Sequence, residues 1–168
     1  DPLDGTKEFI KRNGEFTVNI ALIHDRSPVL GVVAVPVTGE IYYATAGHGA
    51  FVRRDGVDHK LEKHNKVDLQ QEGLRVVASR SHMNAETQQF INSLRSPVLV
   101  SAGSSLKFML LASGRADVYP RYAPTMEWDT AAAHAIVKET GYEVTKYSSG
   151  TPLEYNKENL LNPYFVVS

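Results

Sequence analysis

Two aspartates open the sequence with only a proline and a leucine between them, in the segment Asp1-Pro2-Leu3-Asp4-Gly5-Thr6. Hard divalent cations prefer oxygen ligands, and in a turn the carboxylates of Asp1 and Asp4 can converge on one point, where the Leu3 carbonyl can add another oxygen. Gly5 and Thr6 can begin a helix whose first amides favour a phosphate. The segment predicts a shared metal and phosphate site. Spacing alone equally allows an Asp-Pro turn followed by an ordinary Asp-Gly loop.

A third aspartate, Asp129, lies in the segment Glu127-Trp128-Asp129-Thr130-Ala131-Ala132. The periodicity of apolar residues predicts a helix over Trp128–Thr140, with Gly141 at its C-terminal cap. Asp129 then falls in the first turn, where the helix dipole stabilises an acid whether or not it binds anything. Taken alone, this position favours helix electrostatics over ligand binding.

The elements that must position these aspartates fall into two halves. In the first half, β-branched and aromatic runs joined by short turns predict an antiparallel meander, with strands Phe16–Ile23, Val29–Val35 and Glu40–Ala44 and a further hairpin around Ala50–Arg53. A polar stretch, Lys60–Gly73, is typical of a linker or an exposed loop. Beyond it, alternating patterns indicate an α/β layer, with strand Leu74–Ala78, helix Ala85–Leu94, strand Val98–Val100, helix Ser104–Ser113, strand Asp117–Tyr119 and the helix that carries Asp129.

Composition excludes several classes of protein. With 18 Lys and Arg against 19 Asp and Glu, the net charge of −1 gives no broad positive field for a nucleic acid polymer. The absence of cysteine excludes disulfides, thiolate zinc sites and a cysteine nucleophile. The longest apolar stretches, such as Val29–Val37, fall far short of the ~20 residues that span a bilayer. The six histidines show no zinc-like spacing, and His134 on the alanine-rich helix is expected to be structural.

Together, the two aspartate segments resemble the paired signatures of the inositol monophosphatase superfamily, which are lithium-sensitive, magnesium-dependent phosphatases. Within it, four shorter motifs are similar to those of the CysQ-type 3′(2′),5′-bisphosphate nucleotidases, namely Lys7-Glu8-Phe9-Ile10-Lys11-Arg12, Ser79-Arg80-Ser81-His82, Gly103-Ser104-Ser105-Leu106-Lys107-Phe108 and Tyr119-Pro120-Arg121. The similarity runs from Asp1 to Ser168. It implies a layered α/β fold, an αβαβα sandwich without its N-terminal helical layer, in which an antiparallel sheet is followed by an α/β layer.

The resemblance also implies roles for individual residues. Two or three Mg²⁺ ions would be bound by Asp1, the Leu3 carbonyl, Asp4 and Asp129, and the catalytic group would be Asp1, Asp4, Asp129 and Thr6, whose hydroxyl helps to orient the attacking water. The substrate would contact Leu3, Asp4, Gly5, Thr6 and Asp129 at the scissile phosphate, Ser104, Lys107 and Arg121 at the phosphate that is not cleaved, and His82 near the base or ribose. From the residues alone, Lys107 can equally face solvent and Arg121 can pair with a neighbouring acid.

The activity implied is removal of the 3′-phosphate from 3′-phosphoadenosine 5′-phosphate to give AMP, in sulfate assimilation and nucleotide recycling. The implied location is the cytoplasm, with peripheral association at the inner face of the cell membrane left open, and the oligomeric state is not defined by the sequence. An inositol or sugar monophosphatase on the same scaffold and a catalytically silent nucleotide-binding module are the alternatives. A phosphate clamp that includes Lys107 and Arg121 favours the bisphosphate, since a monophosphate offers it nothing to hold.

We divide the chain into residues 1–73, a metal-binding antiparallel-sheet part, and residues 74–168, a C-terminal α/β nucleotide-binding part, which together form one incomplete phosphatase unit. Intact relatives have an upstream segment with two long helices, a metal-binding glutamate and an acid that partners Thr6. This chain is therefore expected to be weakly active or inactive by itself. An apolar face of the first sheet is expected to be uncovered, which would promote self-association.

Overall fold

The computed structural model describes residues 1–78 and 83–168. Its helices are α1 (Thr6–Lys11), α2 (Ala85–Asn92), α3 (Leu106–Ala112) and α4 (Glu127–Glu139). Its strands are β1 (Val18–His24), β2 (Ser27–Val35), β3 (Glu40–Thr45), β4 (Gly49–Arg54), β5 (Val57–Lys60), β6 (Arg75–Val77), β7 (Val98–Val100), β8 (Tyr119–Arg121), β9 (Val144–Lys146) and β10 (Phe165–Val167). None of these helices is long and apolar enough to cross a membrane.

The first five strands form an antiparallel meander in sequence order. Side chains alternate between its two faces, and Val33, Tyr42 and Val52, which are paired across neighbouring strands, all face the core. Helix α4 crosses this inner face so closely that a Cβ added to Gly31 would lie 2.1 Å from the Ala132 carbonyl oxygen. A glycine on the strand and small alanines on the helix therefore let α4, and Asp129 at its start, approach the sheet.

The C-terminal half supplies a second, shorter set of strands. Strands β6 and β7 pair in parallel, and β8, β10 and β9 form an antiparallel sheet in that order. Helices α3 and α4 pack against each other between this layer and the meander, while α2 contacts β8. One buried cluster joins the layers, since it includes Val33 of the meander, Met109 of α3, Ile136 of α4 and Phe165 of β10. The predicted layered α/β fold is confirmed.

The outer face of the meander is apolar and open to solvent. Ile20 is 61% exposed and Leu22 is 58% exposed, both on β1. Tyr43 and Phe51, which stack on the same face with ring centroids 5.5 Å apart, are only half-buried. This is the uncovered face that the sequence leads us to expect, and the self-association that it would promote stays a prediction.

The structure adds three strands that the sequence patterns do not predict, β5, β9 and β10. Strand β5 is fully exposed, and β9 and β10 have three residues each, so none of the three shows an alternation of buried and exposed positions that is long enough to reveal a period. The polar stretch after β5 also packs on the protein. The His64 amide donates to the Thr140 carbonyl at 2.8 Å, and Val67 packs against both buried clusters.

Candidate metal and phosphate site

The three aspartates singled out in the sequence meet at one place. One carboxylate oxygen from each of Asp1, Asp4 and Asp129 lies within 4.8 Å of those of the other two. The N-terminal segment runs beside β1, where the Asp1 carbonyl accepts from the Asn19 amide at 2.8 Å and Asp4 exchanges two 2.9 Å backbone hydrogen bonds with Thr17. Asp129 arrives from the start of α4, 125 residues after Asp4. Segments that are far apart in the sequence thus build one acidic cluster.

Each carboxylate is oriented through one of its oxygens. Oδ1 of Asp1 accepts from the Leu3 amide at 2.9 Å, and Oδ2 of Asp129 accepts from the Met126 amide at 2.8 Å. Oδ2 of Asp4 accepts from both the amide (2.7 Å) and the hydroxyl (2.8 Å) of Ser105. These bonds leave lone pairs on the second oxygen of each carboxylate for a ligand.

The electrostatics of the cluster favour a bound cation. Burial raises the pKa of the Asp129 carboxyl above its usual range, the Met126 amide opposes that rise, and the negative charge of Asp4 adds to it. The three carboxylates repel one another, and their nearest oxygen atoms lie within 4.8 Å of one another. Such a group of oxygen ligands suits a hard divalent ion such as Mg²⁺ or Mn²⁺. The donor set therefore fits the magnesium that the sequence resemblance implies.

Ser105, Thr17 and Asn19 are supporting residues that sequence reasoning missed. Besides its contacts with Asp4, the Ser105 hydroxyl lies 3.1 Å from the Asp129 carbonyl and accepts from the Asn19 side-chain amide at 2.9 Å. The Thr17 hydroxyl lies 3.3 Å from Oδ2 of Asp4. A serine before a helix reads as an ordinary cap in a sequence. Only the fold shows that it joins the two aspartate segments.

The segment Gly5-Thr6 lies where the N-terminal part meets α3. Gly5 adopts a φ of +93°, and a Cβ there would lie 3.0 Å from that of Ser104, so both backbone conformation and space require glycine. Thr6 is exposed as the first residue of α1, and the first amides of a helix have no intrahelical acceptor. The phosphate contacts of both residues, and the metal contact of the Leu3 carbonyl, stay predictions.

Lys107 and Arg121 are two cationic side chains close to the acidic cluster. Lys107 is partly buried, and its ammonium group donates to the Ser104 carbonyl at 3.2 Å. Burial, and to a lesser extent nearby Arg121, lower the pKa of Lys107 to about 8, although Asp4, Glu8 and Glu15 act in the opposite direction. The two cations therefore repel each other, and an anion bound by both would relieve that repulsion.

Among the residues that the structure describes, a backbone carbonyl rather than an acid holds Arg121. Its Nη2 donates to the Pro124 carbonyl at 3.2 Å, and across the described ranges its buried Nε has no hydrogen-bond partner. The Ser104 hydroxyl pairs with that of Thr17 at 3.2 Å, and Ser104 adopts an unusual φ of +38°. His82, predicted to lie near the base or ribose, belongs to the motif 79–82 and lies outside the described residues.

A layered α/β protein that brings together aspartates from distant parts of its sequence, next to a pair of partly buried cations, has the features of a metal-dependent phosphate-binding protein. Its sequence matches the profile of the Inositol monophosphatase family over residues 1–164. The chain belongs to that family.

Individual relatives agree with this assignment. The chain is 48% identical over 170 residues to the 3′(2′),5′-bisphosphate nucleotidase CysQ of Escherichia coli strain K12, covering 100% of this chain and 66% of the relative. The crystal structure of CysQ from Bacteroides thetaiotaomicron, a bacterial member of the same family, has 48% identity and a TM-score of 0.88, covering 100% of this chain and 68% of that one. A staphylococcal inositol monophosphatase bound to 2′-AMP has 22% identity and a TM-score of 0.81, covering 100% of this chain and 62% of that one, and shares the fold. The chain spans just under two thirds of the E. coli relative.

Proposed function

We propose that this chain forms the metal- and phosphate-binding part of a magnesium-dependent 3′(2′),5′-bisphosphate nucleotidase, which converts 3′-phosphoadenosine 5′-phosphate to AMP and phosphate. The observation that carries the proposal is the meeting of Asp1, Asp4 and Asp129, with ligand atoms within 4.8 Å, next to the cations Lys107 and Arg121. The 48% identity to CysQ nucleotidases along the whole chain supports the choice of substrate.

Each group of residues has a distinct task in this proposal. Asp1, Asp4, Asp129 and the Leu3 carbonyl would hold two or three Mg²⁺ ions, which supply activation of a water molecule and neutralisation of the leaving oxygen. The amides of Gly5 and Thr6 would donate to the scissile phosphate, and the Thr6 hydroxyl would orient the water. Lys107 and Arg121, with Ser104, would hold the uncleaved phosphate, which replaces repulsion between the two cations with charge-assisted hydrogen bonds.

The experiment compares phosphate release from 3′-phosphoadenosine 5′-phosphate and from inositol 1-phosphate in Mg²⁺. It uses the chain by itself and the chain joined to the unmatched third of the E. coli relative, because weak or no turnover is expected from the chain alone. The nucleotidase proposal expects the joined protein to favour the bisphosphate, and Arg121→Ala to reduce that preference. A preference for inositol 1-phosphate that Arg121→Ala leaves intact would support the inositol phosphatase instead.

A catalytically silent nucleotide-binding module is the second candidate, since the contacts proposed for Lys107 and Arg121 need no metal. Equilibrium dialysis of AMP in EDTA tests it. Binding that persists without metal, together with no turnover in the joined protein, would favour the module. For the active enzyme we further propose a role in sulfate assimilation in the cytoplasm, with 3′-phosphoadenosine 5′-phosphate as its small-molecule partner.

A further inference from the structure

The start of α4 is fastened to a loop near the end of the chain, residues 156–162. The Glu127 amide donates to the Leu160 carbonyl at 3.0 Å, and Met126 and Leu161 form an isolated antiparallel bridge. The Glu127 carboxylate, which is buried, accepts from the Asn156 amide at 2.7 Å and also pairs with Lys157. The turn of helix that presents Asp129 is therefore held from outside the helix as well as by its own hydrogen bonds.

Asn162 makes the most direct of these connections, and it is only 4% exposed. Its backbone amide donates to the Thr125 carbonyl at 2.8 Å. Its side-chain Nδ2 lies 2.9 Å from the Met126 carbonyl and 3.0 Å from the Thr130 hydroxyl, so both of its hydrogens can be used on the first turn of α4. Asn162 thus binds the peptide group on each side of Met126.

Those two peptide groups in turn orient Asp129. The Met126 amide, in the same peptide plane as the Thr125 carbonyl, donates to Oδ2 of Asp129 at 2.8 Å. The Met126 carbonyl accepts from the Asp129 amide at 3.0 Å. The backbone bond from Asn162 to the Thr125 carbonyl polarises the peptide whose amide is that of Met126, which strengthens the bond that this amide donates. The side-chain bond to the Met126 carbonyl acts in a different way, because it fixes the position of the residue whose amide and carbonyl both bond to Asp129. Asn162 therefore acts on the Asp129 carboxylate through Met126 without touching it.

We propose that Asn162 is a positioning residue for Asp129, which sets the direction of that carboxylate for a divalent cation. The inference rests on the metal site of the proposed function. Removing a partner that orients a metal ligand typically weakens metal affinity about 10–100-fold. Asn162→Ala removes the side-chain anchor and keeps the backbone one, and Asn162→Asp keeps the size while it replaces the donor with an acceptor.

The matched control is Tyr155→Phe. The Tyr155 hydroxyl is buried in the same polar network, 2.9 Å from Nδ1 of His134 and 3.3 Å from the Thr130 hydroxyl, but it does not reach Met126. Both Asn162→Ala and Tyr155→Phe should lower the melting temperature. Only the Asn162 variants should raise the Kd for Mn²⁺, by about tenfold or more, in a titration that follows free Mn²⁺ by electron paramagnetic resonance.

A second readout needs no metal. In EDTA, hydrogen exchange followed by NMR should show the Met126 amide losing at least about tenfold of its protection in the Asn162 variants and keeping it in Tyr155→Phe. Unchanged protection of that amide in a folded Asn162 variant would overturn the inference, and so would an unchanged Kd for Mn²⁺. If the wild-type chain binds no Mn²⁺, the proposed metal site fails, and the exchange of the Met126 amide still decides the positioning role. Asn162→Asp serves if Asn162→Ala does not fold.

Discussion

Replacing Asp129 by asparagine should stabilise the metal-free protein and abolish its stabilisation by Mg²⁺. The ligand oxygens of Asp129 and its two neighbours lie within 4.8 Å of one another. At that distance, two unit charges repel by about 0.9 kcal/mol at the dielectric constant of water and about 3.5 kcal/mol at an effective value of 20. Because Asp129 is only partly buried, the lower half of this range applies.

The asparagine keeps part of what the aspartate does for the fold. Its side-chain oxygen can still accept from the Met126 amide, which preserves the hydrogen bond at the start of α4. The favourable interactions of the negative charge with Arg121, with the N-terminal ammonium group and with the helix dipole are lost, and the dipole contributes typically about 0.3–1 kcal/mol. The net expectation is a stabilisation of about 1 kcal/mol in EDTA, or roughly 2–4 °C in Tm for a chain of this size.

Mg²⁺ should reverse the order of the two proteins. A ligand at about 100 times its Kd stabilises the protein that binds it by about 2.7 kcal/mol, so wild type should overtake the variant as the ion concentration rises. Urea unfolding in EDTA and across a Mg²⁺ series measures both effects. Asp117→Asn is the control, since Asp117 pairs with Arg75 away from the site and its loss should destabilise the chain equally with and without the ion. An Asp129→Asn variant that is less stable than wild type in EDTA, or that keeps the full Mg²⁺ effect, would refute the electrostatic reasoning.

Three further predictions concern other features of the molecule. Ser105→Ala removes a hydroxyl that lies 2.8 Å from the Asp4 carboxylate. Because hydrogen bonds to charged groups contribute about 1.5–3 kcal/mol, calorimetry should show at least about tenfold weaker Mg²⁺ binding. An unchanged Kd would contradict the role of Ser105. The folded-state pKa of Lys107, about 8, lies below its unfolded value of 10.5, so the unfolded state binds more protons between these two pH values. The free energy of unfolding should therefore rise with pH across that window, and Lys107→Met should remove the rise. The affinity of the wild-type chain for AMP should fall above about pH 8, where Lys107 loses its charge. Leu22→Lys on the exposed face of β1 should reduce self-association in sedimentation velocity and leave the free energy of unfolding within about 0.5 kcal/mol of wild type. Undiminished association would exclude this face.

The fold was predictable wherever an element was long enough to show a period. The first four strands of the meander and α4 follow directly from alternating and helical patterns over five or more residues. Strands β9 and β10 of the C-terminal sheet were not predictable, because each has three residues and its position depends on the strands with which it pairs. Local pattern carries information about local structure, and it cannot say which distant strands will pair.

The same limit applies to the site. Asp1, Asp4 and Asp129 could be named in advance only because their segments resemble a known pair of signatures, since Asp129 by itself reads as helix capping. Ser105 lies in a motif that carries the resemblance but receives no role from it, and the surroundings of Asn162 in the sequence give no signal. They become significant because the fold brings Ser105 to Asp4, 101 residues away, and Asn162 to Met126, 36 residues away.

The site contains two groups of like charge, and a ligand of opposite charge would stabilise each of them. Three carboxylates repel one another in the acidic cluster, and Lys107 and Arg121 repel each other nearby, while attraction between the two groups, such as that of Asp4 for Lys107, offsets part of both repulsions. A ligand that brings divalent cations to the carboxylates and a second phosphate to the basic pair removes both repulsions at once. Sites of this kind trade stability for binding. In the proposed function, a bisphosphate bound with metal ions would bring opposite charge to both groups, whereas a metal alone or a monophosphate would leave one group without a ligand.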